Sequence, residues 1–232
     1  MATKKASTKK TATKKKAKND KKPHIKTFWK LFAGFLGLIF LIFLLASWGV
    51  FGSLPDETSL ENPEKNLATE IISSDGVTIG KFYKENRTPV LFEALPDHLV
   101  NALIATEDAR FYDHSGIDGR GTVRAFAFLG TRGGASTISQ QLAKLFFTDQ
   151  VSRNKFQRGL QKIKEWIIAI RLERRYTKEE IITMYFNEYD FVNQAVGIES
   201  AAHIYFDKAP SELSTVESAV LVGMFKNASL YN

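Results

Sequence analysis

Residues Ala105 to Gly116 read Ala-Thr-Glu-Asp-Ala-Arg-Phe-Tyr-Asp-His-Ser-Gly, which places two adjacent carboxylates, a third acid, two aromatics and a histidine within twelve residues. A helix-like run, Leu99 to Ala105, precedes the acids and would hold Glu107 and Asp108 at the edge of a cleft. A carboxylate that acts as a general base needs such a positioned, half-buried setting. Taken alone, the pair also fits a solvated helix end, because charged side chains usually stay exposed.

The positive charge of the chain is concentrated at its N-terminus. The 232 residues include 32 basic and 25 acidic side chains. Residues 1–30 hold twelve lysines and one acid, Asp20, so the remainder has 20 basic and 24 acidic side chains. A nucleic-acid-binding domain would spread Lys and Arg over a folded face, so we expect no nucleic-acid partner and interpret residues 1–27 as a disordered basic tail. The sequence has no cysteine, which excludes disulfides, thiolate catalysis and zinc–sulfur sites.

Residues 28–51 are predicted to form one transmembrane helix. The twenty residues Leu31–Val50 carry no charge and match the hydrocarbon thickness of a bilayer, and Trp29 and Trp48 lie near the two ends, where interfacial aromatics are expected. The lysines precede the span, so the positive-inside rule predicts a cytoplasmic N-terminus and an external remainder. A cleaved signal peptide is the alternative, but its apolar region would be shorter and Ala46-Ser-Trp48 is a poor cleavage site.

The composition after the span predicts a linker over residues 52–66 and a single folded domain over residues 67–232. Two short β-branched runs, 68–73 and 77–83, flank Asp75-Gly76, a strong hairpin signal, so a small β-element should open this domain. The remaining pattern is helical, which makes the fold class mainly α. Helices are predicted over residues 97–109, 137–147, 155–175 and 178–188, with more between 194 and 226.

The helix predicted at 137–147 has a glycine-flanked start. Gly133-Gly134-Ala135-Ser136 precedes it, and Thr137 and Gln140 are spaced for a capping box. Free amides at such a terminus, with a lysine two turns along, suit a cluster of anionic oxygens. A double glycine before a helix is also common without any ligand. Four side chains that would share one face, with amides and hydroxyls suited to sugar hydroxyls, are Thr137, Gln140, Gln141 and Lys144.

The helix predicted at 155–175 carries two stripes. The polar one contains Arg158, Lys162 and Glu165, at spacings of four and three residues. An ordinary solvent face with helix ion pairs of about 0.2–0.5 kcal/mol each is the alternative for this stripe. The apolar one should face a core, and its members are Phe156, Leu160, Ile163, Ile167 and Ile170.

In this order, the motifs resemble the glycosyltransferase domain of family 51, the peptidoglycan glycosyltransferases of class A penicillin-binding proteins and their single-domain relatives. One motif would be weak, whereas five in sequence are highly specific. The stretches that resemble the five family motifs are Ala105–Gly116; Gly134–Lys144; Lys162–Trp166 with Leu172-Glu173; Lys178–Asn187; and Ser200–Phe206 through Glu217–Ala219.

The resemblance implies a lysozyme-like domain that polymerises lipid II into β-1,4-linked glycan strands with release of undecaprenyl pyrophosphate. Glu107 matches the general base that takes the proton of the acceptor 4-hydroxyl, whose oxygen attacks the donor anomeric carbon with inversion. Glu165 matches a second important acid, near the pyrophosphate or a bound divalent cation (Mg or Mn); the sequence itself requires no cofactor. The substrate-binding candidates are Asp108, Phe111, His114, Ser136, Thr137, Gln140, Gln141, Lys144, Arg158 and Lys162.

The implied partners are lipid II, the growing glycan strand, the lipid bilayer and other cell-wall synthesis proteins. The implied location is the outer face of the bacterial cytoplasmic membrane. Val123–Leu129 and Phe146-Phe147 are apolar candidates for membrane contact. For His114, a structural histidine that bonds the turn before Gly116 is the alternative role.

The sequence departs from the family pattern at several positions. Gln161 stands where the family usually has an arginine, and Arg158 is the candidate to replace that arginine. Leu145 replaces the asparagine after the second-motif lysine, Val192-Asn193 replaces a glycine, and Ala228 replaces a proline. None of these changes removes a proposed catalytic acid.

Two other functions remain open at this point. A muramidase-like hydrolase would also use carboxylates on a lysozyme-like fold but would need no cations for pyrophosphate. An inactive membrane scaffold would keep the fold and lose turnover. The elements of a penicillin-binding transpeptidase do not occur up to Asn232, so we expect no such activity from this chain.

Overall fold

The computed structural model describes residues 22–50, 54–55, 69–75, 78–82, 88–128, 131, 134–148 and 152–226. The chain forms two units, residues 1–44 and residues 45–232. The predicted basic tail lies outside the described residues up to residue 21, and most of the predicted linker 52–66 lies outside them as well.

Helix α1 spans Lys22–Ser47. Its segment Ile25–Ser47 has 23 residues and a mean hydropathy of 2.3, which suffices by length and composition to cross a membrane. A signal sequence near the N-terminus would meet the same criterion. The span predicted at 28–51 therefore coincides with a helix, although this helix begins earlier and gives way to a turn over residues 48–50.

A two-stranded antiparallel sheet follows. Strand β1, Thr69–Ile72, pairs with β2, Thr78–Phe82, and the register is interrupted between Ile71 and Ile72. In the connecting turn the Ser73 hydroxyl donates a hydrogen bond to the Asp75 carboxylate. The predicted hairpin is confirmed.

The rest of the described chain is mainly helical, which confirms the predicted fold class. The four helices placed individually by the sequence pattern are all present with ends within two residues of the prediction, whereas α3 was not predicted. The helices are α2, Asp97–Glu107; α3, Gly119–Ala127; α4, Ile138–Phe147; α5, Lys155–Arg175; α6, Lys178–Glu188; α7, Ile198–Phe206; and α8, Thr215–Met224.

Side-chain caps define where several of these helices begin. Thr177 and Glu180 form a reciprocal capping box at α6, and Ser214 and Glu217 form another at α8. At α5 the Asn154 side chain accepts a hydrogen bond from the Phe156 amide. Each such cap stabilises its helix by about 1 kcal/mol, because it satisfies an amide that the helix leaves unpaired.

The core lies where α4 packs against α5 and α6 and where α2 packs against α8. Burial of each large apolar side chain there contributes about 1.5–3 kcal/mol. The largest fully buried side chains are Leu99, Leu103, Phe111, Ile138, Leu142, Leu172, Ile181, Ile182, Tyr185, Phe186, Phe191 and Ile198.

The apolar stripe predicted for α5 is only partly right. Ile163, Ile167 and Ile170 are half-buried, and the buried apolar side chains of this helix are Ile168, Ala169 and Leu172. Phe156 is 72% exposed, because every residue from 153 to 159 lies on the surface. The start of α5 therefore extends beyond the core.

Candidate active site

The two acids of the opening motif end helix α2 with different neighbours. Glu107 is the last residue of α2 and is half-buried, whereas Asp108 is the C-cap residue that follows it and is 7% exposed. The Asp108 carboxylate accepts hydrogen bonds from the Ile138 amide at 3.1 Å and from His114 Nε2 at 3.0 and 3.1 Å. Asp108 therefore fixes the start of α4 to the end of α2, which leaves Glu107 as the acid free to act.

The loop after Asp108 is locked onto α4 and α5 through Gly116. This glycine has φ +90°, and a Cβ there would lie 2.9 Å from the carbonyl carbon and oxygen of Ala169 in α5. Its own carbonyl accepts hydrogen bonds from the Thr137 hydroxyl at 2.8 Å and from Gln140 Nε2 at 3.1 Å. Because these bonds occupy them, Thr137 and Gln140 hold the loop in place.

The helix start predicted at Thr137 is confirmed, since its hydroxyl accepts the Gln140 amide at 3.2 Å. The reciprocal half of the predicted capping box is not formed. The Gln140 side chain donates to Gly116 instead, and both Thr137 and Gln140 are buried. The opening loop therefore takes the hydrogen bond that local spacing assigned to the cap.

Glu107 lines a cavity of about 480 Å³, here called the base cavity. Arg110, Arg124 and Lys226 also line it, so three cations share this cavity with the half-buried carboxylate. The rest of its wall comes from the end of α2 and the loop after it, the residues before α4 and one residue of α4: Ala105, Thr106, Asp108, Ala109, Asp118, Gly134, Ala135, Ser136 and Gln141.

A second cavity of about 360 Å³ lies against α4, α5 and α6 and is here called the lysine cavity. Lys162 Nζ donates to the Ser136 hydroxyl at 2.9 Å and to Glu165 Oε2 at 2.8 Å. Glu165 is only 8% exposed, and its ion pair with Lys162 at the cavity wall neutralises its charge. The lining residues are Ser136, Gln140, Gln141, Lys144, Leu145, Lys162, Glu165, Tyr185, Tyr189 and Phe225.

Gln141 and Ser136 line both cavities. Gln141 Nε2 donates to Glu107 Oε2 at 2.9 Å, and Gln141 Oε1 accepts from the Tyr185 hydroxyl at 2.8 Å. The two cavities therefore meet at a polar wall in direct contact with Glu107. A substrate that spans both would place one part beside a carboxylate and the other beside two lysines.

The structure brings most of the predicted site residues together, but not all of them. Arg158 is exposed and lines neither cavity, and Phe111 is fully buried in the core. His114 lines a separate groove beside Arg110 and bonds Asp108 rather than the turn before Gly116. Thr137 is 1% exposed, lines neither cavity and bonds the Gly116 carbonyl. These four positions support the site from outside or stand apart from it.

The departures at positions 161 and 145 have different consequences. Gln161 lines neither cavity, and its side-chain oxygen accepts the Ser152 amide at 3.1 Å, which fixes the residues before α5. Leu145 does line the lysine cavity and adds an apolar surface to it. Because neither Arg158 nor Gln161 lines the lysine cavity, its cations are Lys144 and Lys162.

A buried ion pair holds the opening motif from behind. Lys178 Nζ lies 2.7 Å from the Glu173 carboxylate, donates to the His114 carbonyl at 2.7 Å and lies 4.1 Å from the Phe111 ring centre. The Ser139 hydroxyl also donates to Glu173. One lysine thus ties α5 and α6 to the loop that carries the site.

Burial, and secondarily the nearby charge of Glu107, raises the pKa of Tyr185 far above its usual range and that of Tyr189 to about 12. Both hydroxyls therefore stay neutral and keep their protons as donors. Across the base cavity, the hydrogen bond from Arg110 lowers the pKa of Asp118, so that pair stays ionised.

Sequence reasoning missed seven side chains of the two cavities that carry charge or a hydroxyl. Three of them lie inside recognised motifs but had no role assigned, namely Thr106, Arg110 and Tyr185. The other four lie outside the five motifs and are Asp118, Arg124, Tyr189 and Lys226.

The apolar candidates for membrane contact separate into two groups. Val123 and Phe126 on α3 are 70% and 72% exposed. Phe146 and Phe147 are partly buried and pack against the core. The open apolar surface is therefore formed by α3 and by Phe128 just after it, which is 41% exposed, and Leu129 lies outside the described residues.

Comparison with known proteins places this site in a family. The family model described as transglycosylase matches residues 75–232, most of the domain that carries both cavities. The chain therefore belongs to the transglycosylase family, which confirms the resemblance found in the five motifs.

Relatives of this chain are large bacterial proteins. It is 37% identical over 210 residues to penicillin-binding protein 1A of Escherichia coli, covering 85% of this chain and 24% of that protein. It is 40% identical over 171 residues to penicillin-binding protein 1F of Bacillus subtilis (72% and 23%), and 36% identical over 212 residues to penicillin-binding protein 1A of Aquifex aeolicus (88% and 28%). The chain thus spans about a quarter of the length of these relatives.

Proposed function

We propose that this chain is a membrane-anchored peptidoglycan glycosyltransferase that polymerises lipid II into β-1,4-linked glycan strands and releases undecaprenyl pyrophosphate. The observation that carries the proposal is the position of Glu107, at a polar wall between a cation-lined cavity and a second cavity with two lysines. Family membership supports the reaction class.

In this mechanism the base cavity receives the acceptor and Glu107 takes the proton of its 4-hydroxyl. The oxygen forms a bond to the anomeric carbon of the donor from the face opposite the leaving group. The bond from that carbon to the pyrophosphate oxygen breaks, and the lipid pyrophosphate departs with the electron pair. Attack from the opposite face inverts the anomeric configuration, which gives the β linkage.

The lysine cavity neutralises the charge that develops on the leaving group. Lys144 and Lys162 supply the cations, and the Ser136 hydroxyl lies within hydrogen-bond reach of Lys162. Such preorganised charges act most strongly on charge that grows in the transition state. Glu165 holds Lys162 in place, since the two side chains form an ion pair at 2.8 Å.

A divalent cation is a further part of the proposal. Among the described residues no group of three His, Cys, Asp or Glu side chains is placed to hold a metal. Glu165 is the carboxylate that lines the lysine cavity and already pairs with Lys162, so a divalent cation there would share Glu165 with Lys162 and take its other ligands from substrate phosphates. Bound there, it would supply additional positive charge at the pyrophosphate.

Anchoring by α1 would keep the domain at the surface where its lipid-linked substrate resides. The helix is long and apolar enough to span the bilayer, and the lysines before it favour a cytoplasmic N-terminus under the positive-inside rule. The exposed Val123 and Phe126 offer an apolar surface for the lipid part of the substrate. The proposed location is the outer face of the bacterial cytoplasmic membrane, where other cell-wall synthesis proteins act.

The direct test is polymerisation of purified lipid II by the full chain in detergent or vesicles, followed by separation of the glycan products on a gel. Glu107→Gln should lower the rate by about 10²–10⁴-fold, the usual contribution of a general base. Glu199→Gln is the matched control, because Glu199 is a half-buried glutamate of α7 that lines neither cavity, and it should retain full activity. Equal rates for Glu107→Gln and the parent would exclude Glu107 as the base.

A parallel arm separates transfer from hydrolysis. The chain is incubated with purified cell-wall sacculi in the absence of lipid II, and turbidity is followed. Transferase activity predicts polymer from lipid II and unchanged turbidity, whereas clearing of the sacculi would indicate a muramidase. No product in either arm, under varied detergent and metal conditions, would indicate a scaffold.

A further inference from the structure

The Gln141 side chain, which donates a hydrogen bond to Glu107, is itself held by the buried side chain of Tyr185. Gln141 Nε2 donates to Glu107 Oε2 at 2.9 Å, and Gln141 Oε1 accepts from the Tyr185 hydroxyl at 2.8 Å. The three residues come from three helices, α2, α4 and α6. Tyr185 therefore reaches the proposed base only through the amide of Gln141.

The chemistry of the three groups requires this order of bonds. An ionised carboxylate can only accept hydrogen bonds, so the nitrogen end of the Gln141 amide must face Glu107. The oxygen end then points the other way and needs a donor, which Tyr185 supplies. Because burial raises the pKa of Tyr185, its hydroxyl keeps the proton that this bond uses.

The ring of Tyr185 is fixed independently of its hydroxyl. The residue is 1% exposed, and its ring stacks on Phe225 with centres 4.9 Å apart and planes at 21°. Tyr189 packs beside it at 6.2 Å and donates its own hydroxyl to the Met224 carbonyl. Replacement of Tyr185 by phenylalanine thus removes one oxygen and leaves the ring packing in place.

We infer that Tyr185 is a positioning residue for the proposed reaction: its hydroxyl holds the Gln141 amide in the orientation that donates to Glu107. Without that hydroxyl the amide oxygen has lost its donor. The amide then turns, and its oxygen faces Glu107 for part of the time. A carboxylate opposite an amide oxygen is held less well in its ionised form and in its position. This inference rests on the proposed function.

The experiment compares the full-length parent with Tyr185→Phe in lipid II polymerisation across a range of pH. The variant should show a kcat lower by about tenfold, as expected for one hydrogen bond that orients a catalytic group, with little change in KM. Tyr205→Phe is the matched control, because its hydroxyl bonds the Phe191 carbonyl away from both cavities, and it should behave as the parent.

The acid limb of the pH–rate profile is the readout that a purely structural role would not move. It should shift to higher pH in Tyr185→Phe, because the ionised carboxylate has lost a reliable donor. The charged and titratable groups that face Glu107 are unchanged in this variant apart from Tyr185 itself: Asp108, Arg110, Asp118, Arg124, Tyr189 and Lys226.

A double-mutant cycle tests the route through Gln141. If Tyr185 acts only through this amide, Gln141→Ala and the double variant Gln141→Ala with Tyr185→Phe should have equal rates, so the two losses are not additive. Full additivity, or a Tyr185→Phe enzyme with the parent's kcat and pH profile, would overturn the inference.

A measurement without turnover separates this inference from the proposed function. In protein labelled with ¹⁵N-glutamine, the side-chain amide signals of Gln141, assigned by their loss in Gln141→Ala, should be sharp in the parent and broadened or shifted in Tyr185→Phe. Unchanged signals would refute the positioning role whatever the activity. A parent chain that forms no glycan from lipid II would refute the proposed function while the amide signals still report the contact.

Discussion

Glu107 and Asp108 are consecutive in the chain, yet their carboxylates bond to different parts of the fold. Asp108 accepts hydrogen bonds from the first amide of α4 and from the ring nitrogen of His114, whereas Glu107 accepts a hydrogen bond from the side chain of Gln141. The Asp108 carboxylate holds α2, α4 and the loop after Asp108 together. The Glu107 carboxylate lies at the wall of the base cavity, where it can accept a proton.

Replacing Asp108 by alanine should therefore destabilise the domain as well as reduce activity. The change leaves the buried Ile138 amide and His114 Nε2 without their acceptor, and each such loss costs about 1–3 kcal/mol. Chemical denaturation of the parent and the variant measures this difference. Asp113→Ala, at an exposed position five residues along, is the control and should stay within about 0.5 kcal/mol of the parent.

Lys162 should matter far more for activity than Arg158, although the sequence places both on one stripe. Lys162 lines the lysine cavity and Arg158 does not. Removing one preorganised cation from a developing oxyanion lowers kcat on the order of 10²-fold. We therefore expect Lys162→Met to lower kcat by about 10²-fold and Arg158→Gln to lower it by less than about tenfold. Comparable losses of lipid II polymerisation in the two variants would show that Arg158 also acts at the site.

The local sequence predicts the secondary structure of this protein more completely than it predicts the residues of the candidate site. Helices α4, α5 and α6 begin after residues whose side chains cap them, Thr137, Asn154 and Thr177, and their ends fall within one residue of prediction. Helix α3 escaped prediction because it is short and its large apolar side chains, Val123 and Phe126, are exposed, so the segment was interpreted as a membrane-contact surface and not as a helix that packs on the core. Its position depends on tertiary contacts.

The site itself depends on contacts between segments far apart in the chain. Gln140 is spaced to cap its own helix, but the carbonyl of Gly116 is close enough in space to take its amide. Lys226 reaches the base cavity from beyond α8, more than a hundred residues after Glu107. Such partners leave no mark on local periodicity, which is why motif resemblance found the acids and missed the cations around one of them.

The capping box of α8 predicts an acid-sensitive contribution to stability. Hydrogen bonds from Lys208 and from the Ser214 backbone and hydroxyl lower the pKa of Glu217 from its ordinary 4.5 to about 2. A depressed carboxyl pKa favours folding above about pH 4.5, and this contribution is lost as the pH falls from there towards 2. Glu217→Gln should therefore be less stable than the parent at neutral pH and approach it near pH 2, as measured by urea unfolding at each pH. A constant difference would argue against the Glu217 charge as its source.

Gly116→Ala should disrupt the site more than any other glycine replacement in the opening loop. At φ +90° an L-residue is strained, and the added Cβ would lie 2.9 Å from two backbone atoms of Ala169 in α5, which cannot move without moving the helix. We expect a destabilisation of about 2 kcal/mol or more, because strain and overpacking act together. Gly119→Ala is the matched control: nothing lies within 4 Å of its Cβ, and it stands at the start of α3. Thermal unfolding should show a lower Tm for the first variant and an unchanged or slightly higher one for the second, and equal Tm values would mean that the loop is not held against α5 as described.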